Sequence, residues 1–186
     1  MTSALYLLPG RSNTLSDLGD IVLDLGMDVC GRELRPPFST LRFSEQLAYI
    51  QKDLRTLLWA PEAKLIGHSY GGYLLLHALA ELPPFPGRIL LLSPVLGSAV
   101  VRGDRPFSST PPRARRLLEL SERQTFPAPR ALELHTGADD DGCDPDLART
   151  ICAQISTATA TVVPEQGHQL APDYVAEVIR SFIREG

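Results

Sequence analysis

One short motif constrains the fold of this chain more than any other feature of its sequence. An apolar run over residues 63–66 leads into Gly67-His68-Ser69-Tyr70-Gly71, and a second apolar run over residues 73–82 follows it. A serine between two glycines, with a strand before it and a helix after it, is typical of a sharp turn that exposes a nucleophilic hydroxyl. A Cβ at either glycine would collide with the neighbouring elements, which gives the spacing a steric reason.

The same residues have a simpler interpretation, in which the glycines only serve a tight turn and Ser69 caps the following helix. The strand and the helix on either side of the motif favour the nucleophile. In that arrangement the backbone N–H of Tyr70 lies at a helix N-terminus, where developing negative charge is stabilised.

Strand-like and helix-like segments alternate along the whole chain. Periodicity and turn residues predict strands over residues 4–8, 27–30, 63–66, 88–92, 131–135 and 159–163. They predict helices over residues 14–25, from 44 to a point before Pro61, and over 73–82, 112–122 and 144–155, with a last helix from Pro172. This alternation predicts an α/β fold, with a six-stranded, mostly parallel sheet and helices on both of its faces.

Size and composition limit the class of protein. The 186 residues predict a single domain, residues 1–186, and a net charge of −4 argues against a nucleic-acid partner. The three cysteines are scattered, as expected in a reducing compartment. The sequence shows neither a signal peptide nor a segment of membrane-spanning length. We therefore expect a cytoplasmic protein without a membrane partner.

A serine nucleophile needs a base, and the base needs an orienting acid. Of the four histidines, His168 lies in a polar loop after the last predicted strand, where the sites of α/β proteins are built. His135, at the end of the fifth strand, is an alternative base, and a solvated loop residue is the alternative role for His168. The side chain of His68 is expected to point elsewhere, and His77 is expected to be a packed or surface residue.

The acid is expected in the loop after the fifth strand, which contains Asp139, Asp140 and Asp141. The residues alone leave the choice among them open. The cluster lacks the alternating ligand spacing and terminal glutamate of an EF-hand, so no metal is expected. Further along, Asp144 and Pro145 read as the N-cap and first residue of the next helix.

Four segments of the chain together resemble the α/β-hydrolase superfamily over nearly its whole length. Their order, serine before acid before histidine, is the order that this family uses. The chain is similar to the small, compact serine hydrolases of the superfamily that lack a full cap domain, although two N-terminal strands of the usual eight are missing. The segments are Leu7-Leu8-Pro9-Gly10-Arg11, the motif at Ser69, Gly137-Ala138-Asp139-Asp140 and Gly167-His168.

The resemblance implies roles for particular residues. It assigns the acid to Asp140, with Asp139 as the second choice. It implies an oxyanion hole made by the backbone N–H groups of Tyr70 and Arg11, with Ser12 as the alternative to Arg11. No cofactor is implied.

The function that follows is a serine hydrolase with a small-molecule acyl substrate. It would cleave a carboxylic ester or thioester through an acyl-enzyme on Ser69, with His168 and Asp140 completing a triad. Two alternatives remain. The same acyl-enzyme serves an acyltransferase or perhydrolase, and a binding protein could retain the fold without turnover.

Residues 93–129 interrupt the alternation, and we expect them to form a short lid-like insertion. Its apolar residues could line an acyl pocket or be ordinary packing, and both readings stay open: Val95, Leu96, Val100, Val101 and Phe107. Its arginines could attract an anionic leaving group, although a solvated surface is the commoner role for such residues. They are Arg102, Arg105, Arg113, Arg115, Arg116 and Arg123.

Overall fold

Six parallel strands form one sheet in the protein. The structure, a computed structural model, describes residues 4–11, 13–97 and 110–185. The strands are ordered β2-β1-β3-β4-β5-β6, and every neighbouring pair is parallel. The predicted α/β fold with a six-stranded sheet is confirmed. The strands are β1 (Ala4–Leu8), β2 (Asp28–Gly31), β3 (Lys64–His68), β4 (Arg88–Leu92), β5 (Ala131–Gly137) and β6 (Ala158–Val163).

The helices lie close to their predicted positions, with two differences. The helix after Ser69 begins at Tyr70, because the backbone turns so sharply at the serine that the next residue is already helical. The helix predicted from residue 112 begins only at Arg116. None of the described helices is long and apolar enough to cross a membrane. The helices are α1 (Ser16–Leu23), α2 (Phe43–Leu57), α3 (Tyr70–Leu79), α4 (Arg116–Glu122), α5 (Pro145–Gln154) and α6 (Pro172–Arg184).

Apolar side chains cover both faces of the sheet. In β1, Leu5 and Leu7 pack on the side of α1 and α6, whereas Tyr6 and Leu8 pack on the side of α2 and α3. Strand β4 alternates in the same way between its two faces. A strand that is buried on both faces reads as a continuous apolar run, which is why residues 88–92 were recognisable from the sequence.

A buried lysine fastens the last helix to the sheet. The amino group of Lys64, at the start of β3, donates hydrogen bonds to the carbonyl oxygens of Phe182 (3.0 Å), Ile183 (2.9 Å) and Glu185 (3.1 Å). The last carbonyls of a helix have no partner within it, and a cation is favourable at that end. Lys64 therefore fixes the C-terminal end of α6 against the start of β3.

Replacement of this lysine tests its contribution to stability. We expect Lys64→Met to lower the free energy of unfolding by about 2 kcal/mol, because the apolar chain fits the site but leaves the carbonyls unpaired. Urea unfolding followed by circular dichroism measures the change. Lys52→Met, at an exposed position of α2, is the control and should leave the value unchanged. Equal stability of the two variants would show that the Lys64 contacts contribute nothing.

Candidate active site

The backbone of Ser69 adopts an unusual conformation. Its φ of 52° and ψ of −123° lie in a region that side-chain-bearing residues rarely occupy, at a cost of about 1–3 kcal/mol. Backbone hydrogen bonds hold it there. The N–H of Ser69 donates to the carbonyl of Leu92 in β4, and its own carbonyl accepts from the N–H of Val95, both over 3.0 Å. The end of β4 and the loop after it therefore fix the backbone of the serine from one side.

Three glycines around Ser69 allow backbones to approach closely. A Cβ on Gly67 would lie 2.7 Å from the Cα of Gly72, and a Cβ on Gly71 would lie 2.2 Å from the carbonyl oxygen of Leu8. Neither backbone can move away without breaking the sheet or the helix. The steric reason inferred for Gly67 and Gly71 therefore holds. Gly72, which sequence reasoning did not single out, is needed as well.

The structure brings the three side chains predicted for the site together. The hydroxyl oxygen of Ser69 lies 2.8 Å from Nε2 of His168, and Nδ1 of the same ring lies 2.8 Å from Oδ1 of Asp140. An ionised carboxylate can only accept, so Nδ1 carries the proton that bonds to Asp140. The neutral ring then presents Nε2 as the acceptor for the hydroxyl of Ser69.

Asp140 is a fully buried carboxylate whose oxygens are well supplied with donors. Besides His168, the N–H groups of Gly142 and Cys143 donate to Oδ1, and the hydroxyl of Thr136 donates to Oδ2, each over 2.8 Å. Burial alone would raise the pKa of Asp140, but the hydrogen bond from His168 and the charge of that ring, with the other donors, hold it below its ordinary value. The carboxylate is therefore ionised at neutral pH.

Close backbone packing sets the distance between the aspartate loop and the histidine loop. A Cβ on Gly137 would lie 2.0 Å from the carbonyl oxygen of Gln166, and that same oxygen accepts a 2.8 Å hydrogen bond from the N–H of Asp139. A Cβ on Gly142 would lie 2.6 Å from Nδ1 of His168. The ring of His168 thus packs directly against Gly142, where a side chain would displace it.

Sequence reasoning missed three residues that support Asp140, namely Thr136, Gly142 and Cys143. Gly142 was visible only as the second glycine of an acidic loop. Thr136 lies within β5, where nothing in the local pattern distinguishes its hydroxyl from that of any strand threonine.

Two histidines lie side by side at the site, and their pKa values are shifted in opposite directions. The hydrogen bond to Asp140 raises the pKa of His168 above its ordinary value, against the opposing effect of burial. Burial and the neighbouring charge of His168 lower the pKa of His68 to about 4. Their rings stack with centroids 6.3 Å apart. At neutral pH His68 is therefore uncharged, and His168 is the ring that titrates.

The remaining histidines have other partners. Nδ1 of His135, the alternative base, lies 2.8 Å from the hydroxyl oxygen of Tyr174 in α6. His77 is fully buried against Tyr73 and Phe43, as a packed residue. The structure therefore brings His168, and not His135, to Ser69.

The loop after β1 lies directly beside the serine. A Cβ on Gly10 would lie 3.2 Å from the Cβ of Ser69. The guanidinium carbon of Arg11 lies 3.9 Å from the centre of the Tyr70 ring, a cation–π contact that holds this loop against the start of α3. The two residues expected to supply the oxyanion hole are thus neighbours. Ser12, the alternative to Arg11, lies outside the described residues.

Two of the apolar insertion residues considered for an acyl pocket, Val95 and Leu96, are among the described residues. Leu96 is only 2% exposed and lies in the main core, and Val95 packs against the same core. This contradicts the reading in which Leu96 lines an acyl pocket. The segment after β4, which contacts the backbone of Ser69, directs the side chain of Leu96 into the core. The other three candidates, Val100, Val101 and Phe107, lie outside the described residues.

Several arginines of the insertion form ion pairs with glutamates. Arg113 and Arg116 contact the same carboxylate oxygen of Glu81, over 2.6 and 3.0 Å. Arg115 lies 3.8 Å from Glu119 on α4. Glu81 thus offsets one of the two positive charges of Arg113 and Arg116. Two further candidates, Arg102 and Arg105, lie outside the described residues.

Comparisons with known proteins identify the fold. No family model and no curated protein matches the sequence. Among solved structures, the carboxylesterase CesB (YbfK) from Bacillus subtilis is similar with a TM-score of 0.72 and 14% identity, over 100% of this chain and 85% of that one. Est1E from Butyrivibrio proteoclasticus has a TM-score of 0.71 and 12% identity, over 99% and 88%.

A bromoperoxidase from Bacillus anthracis is also similar, with a TM-score of 0.68 and 12% identity over 100% of this chain and 93% of that one. The similar structures share the α/β-hydrolase fold along nearly the whole chain. The protein therefore has this fold, and the resemblance inferred from its motifs is confirmed at that level.

The contact between Asp140 and His168 predicts a measurable pKa. We expect Asp140→Asn to lower the pKa of His168, because the negative partner is lost while the burial that disfavours the charged ring remains. NMR titration of the imidazole resonances measures it in both proteins. Asp139→Asn is the matched control and should leave the pKa close to the native value. An unchanged His168 pKa in Asp140→Asn would contradict the contact.

Proposed function

We propose that the protein is a serine hydrolase that cleaves carboxylic esters or thioesters through an acyl-enzyme on Ser69. The observation that carries this proposal is the unbroken chain of hydrogen bonds from the Ser69 hydroxyl through His168 to the buried carboxylate of Asp140. The fold shared with a carboxylesterase and with Est1E supports it. No cofactor takes part in the proposed reaction.

The first half of the reaction makes the acyl-enzyme. As the Ser69 oxygen forms a bond to the acyl carbon, its proton passes to Nε2 of His168. The electron pair of the carbonyl π bond moves to the carbonyl oxygen, which becomes an oxyanion. The bond to the leaving group then breaks, and His168 returns its proton to the departing oxygen or sulfur.

Water completes the cycle by the same route. His168 takes a proton from water, the water oxygen attacks the acyl carbon, and the bond to Ser69 breaks with the proton returned to the serine. Asp140 remains ionised throughout and stabilises the imidazolium. The backbone N–H groups of Tyr70 and Arg11 stabilise both oxyanions, and the loss of one such donor costs about 3 kcal/mol.

The nucleophile is tested by covalent labelling. We expect Ser69→Ala to lose labelling by a fluorophosphonate probe and to lower kcat/KM for p-nitrophenyl esters, acetate to laurate, by at least about 10⁴-fold. Ser39→Ala, at an exposed position outside the site, is the control and should label like the native protein. Labelling that persists in Ser69→Ala would place the nucleophile elsewhere.

The role of His168 as the base leads to a prediction for the pH dependence of the reaction. A protonated His168 cannot accept the serine proton, so kcat/KM should fall about tenfold per pH unit below its pKa, which lies above the ordinary 6.5. Activity should therefore rise through neutral pH and level off above the pKa. His68, with a pKa of about 4, adds no inflection in this range. Initial rates on a neutral ester measure the profile, and a flat profile would exclude a histidine base.

A further inference from the structure

A cavity of about 270 Å³ opens beside the catalytic histidine on the side of α1 and α6. The ring of His168 forms part of its wall, and Asn13, from the loop after β1, forms another part. The N–H of Asn13 donates to the carbonyl of Gly10, so the loop that borders Ser69 also borders the cavity. The cavity thus lies between the two loops that meet at the serine.

Most of the cavity wall is apolar. The side chains come from α1, from the end of β4, and from α6 with the loop before it: Leu18, Ile21, Leu92, Leu170 and Val175. At about 30 Å³ for each water molecule in the liquid, the space holds about nine waters, or a group with a similar number of non-hydrogen atoms. An apolar wall of this size suits a short aliphatic chain.

Apart from the titrating ring of His168, the described side chains that line the cavity include one charged group, a carboxylate. No lysine or arginine of the described residues lines it, whereas Asp17 does. The carboxylate of Asp17 accepts hydrogen bonds from the N–H of Thr14 (2.7 Å) and from the amide of Asn13 (3.1 Å), which keep it ionised. A phosphate or carboxylate group in the cavity would therefore meet a negative charge, with no lysine or arginine of the described residues to compensate it.

The position beside His168 indicates which part of a substrate this cavity receives. The proposed reaction ends with proton transfer from His168 to the leaving group, so the leaving group must lie against this ring. We propose, on the basis of the proposed function, that the cavity binds the alcohol portion of a small ester. The alcohol is aliphatic, has at most about nine non-hydrogen atoms and carries no negative charge.

Two cavity-filling substitutions test the binding of the alcohol. With acetate as the fixed acyl group, the native kcat/KM should rise about fourfold per methylene from methyl to butyl ester and fall beyond octyl. Ile21→Phe and Val175→Phe fill the cavity from opposite walls. Each should lower the ratio of kcat/KM for hexyl acetate to that for methyl acetate at least tenfold. A pH-stat measures acid release, and thermal unfolding identifies any variant that does not fold.

Leu23→Phe is the matched control, since Leu23 lies on the same helix but is 53% exposed and outside the cavity. Its hexyl-to-methyl ratio should equal the native ratio. Unchanged ratios in both filled variants would overturn the proposal. So would a loss of discrimination that appears only along a series of methyl esters of longer acids, because the cavity would then hold the acyl chain.

A second measurement tests the effect of the Asp17 carboxylate without altering the shape of the cavity. Choline acetate and 3,3-dimethylbutyl acetate have nearly the same shape, and only the first is cationic. The native protein should favour choline acetate about fivefold. Asp17→Asn should remove most of this preference, and Asp20→Asn, an exposed neighbour outside the cavity, should retain it. An equal preference in the native protein and in Asp17→Asn would contradict the assigned charge.

These outcomes are distinguishable from failure of the proposed function. A native protein that neither labels at Ser69 with a fluorophosphonate nor hydrolyses methyl acetate would disprove the hydrolase itself. If the protein is labelled and hydrolyses esters, but its selectivity for the alcohol is unchanged when the cavity is filled, only the assignment of the cavity to the alcohol would be disproved.

Discussion

The left-handed backbone turn at Ser69 is the constraint on which the rest of the structure depends. A residue with a Cβ is held there at a local cost, and hydrogen bonds to Leu92 and Val95 offset that cost. Because these bonds come from the end of β4 and from the loop after it, the turn depends on the pairing of β3 with β4. The position of the hydroxyl is thus a property of the whole sheet.

The buried carboxylate of Asp140 is the second constraint on the fold, because it requires hydrogen-bond donors. An ionised group without solvent is costly unless its oxygens find donors, and here donors come from β5, from the loop after it and from His168. The same contacts fix the orientation of the imidazole. Stability of the loops and preorganisation of the site therefore rest on one set of hydrogen bonds.

The charge beside the cavity agrees with a leaving group that carries no negative charge. On the outer surface near α4, Arg113 and Arg116 share the single carboxylate of Glu81, so one positive charge remains there, but neither arginine lines the cavity. Beside His168 the cavity is apolar, with Asp17 at its edge. The lining of the cavity favours a leaving group without negative charge over an anionic one, and this does not follow from the composition of the chain.

The sequence by itself determined the strands and helices and their order along the chain. Turn residues and apolar periods are local, so all six strands and the serine turn could be inferred from neighbouring residues, whereas Asp140 was chosen over its neighbours only through the resemblance to the α/β-hydrolases. Tertiary structure alone decided contacts between distant segments. These include the support of Asp140 by Thr136, the partner of His135, the packing of Leu96 and the cavity between α1 and α6. Such contacts depend on how parallel strands bring loops together, and no local pattern encodes that geometry.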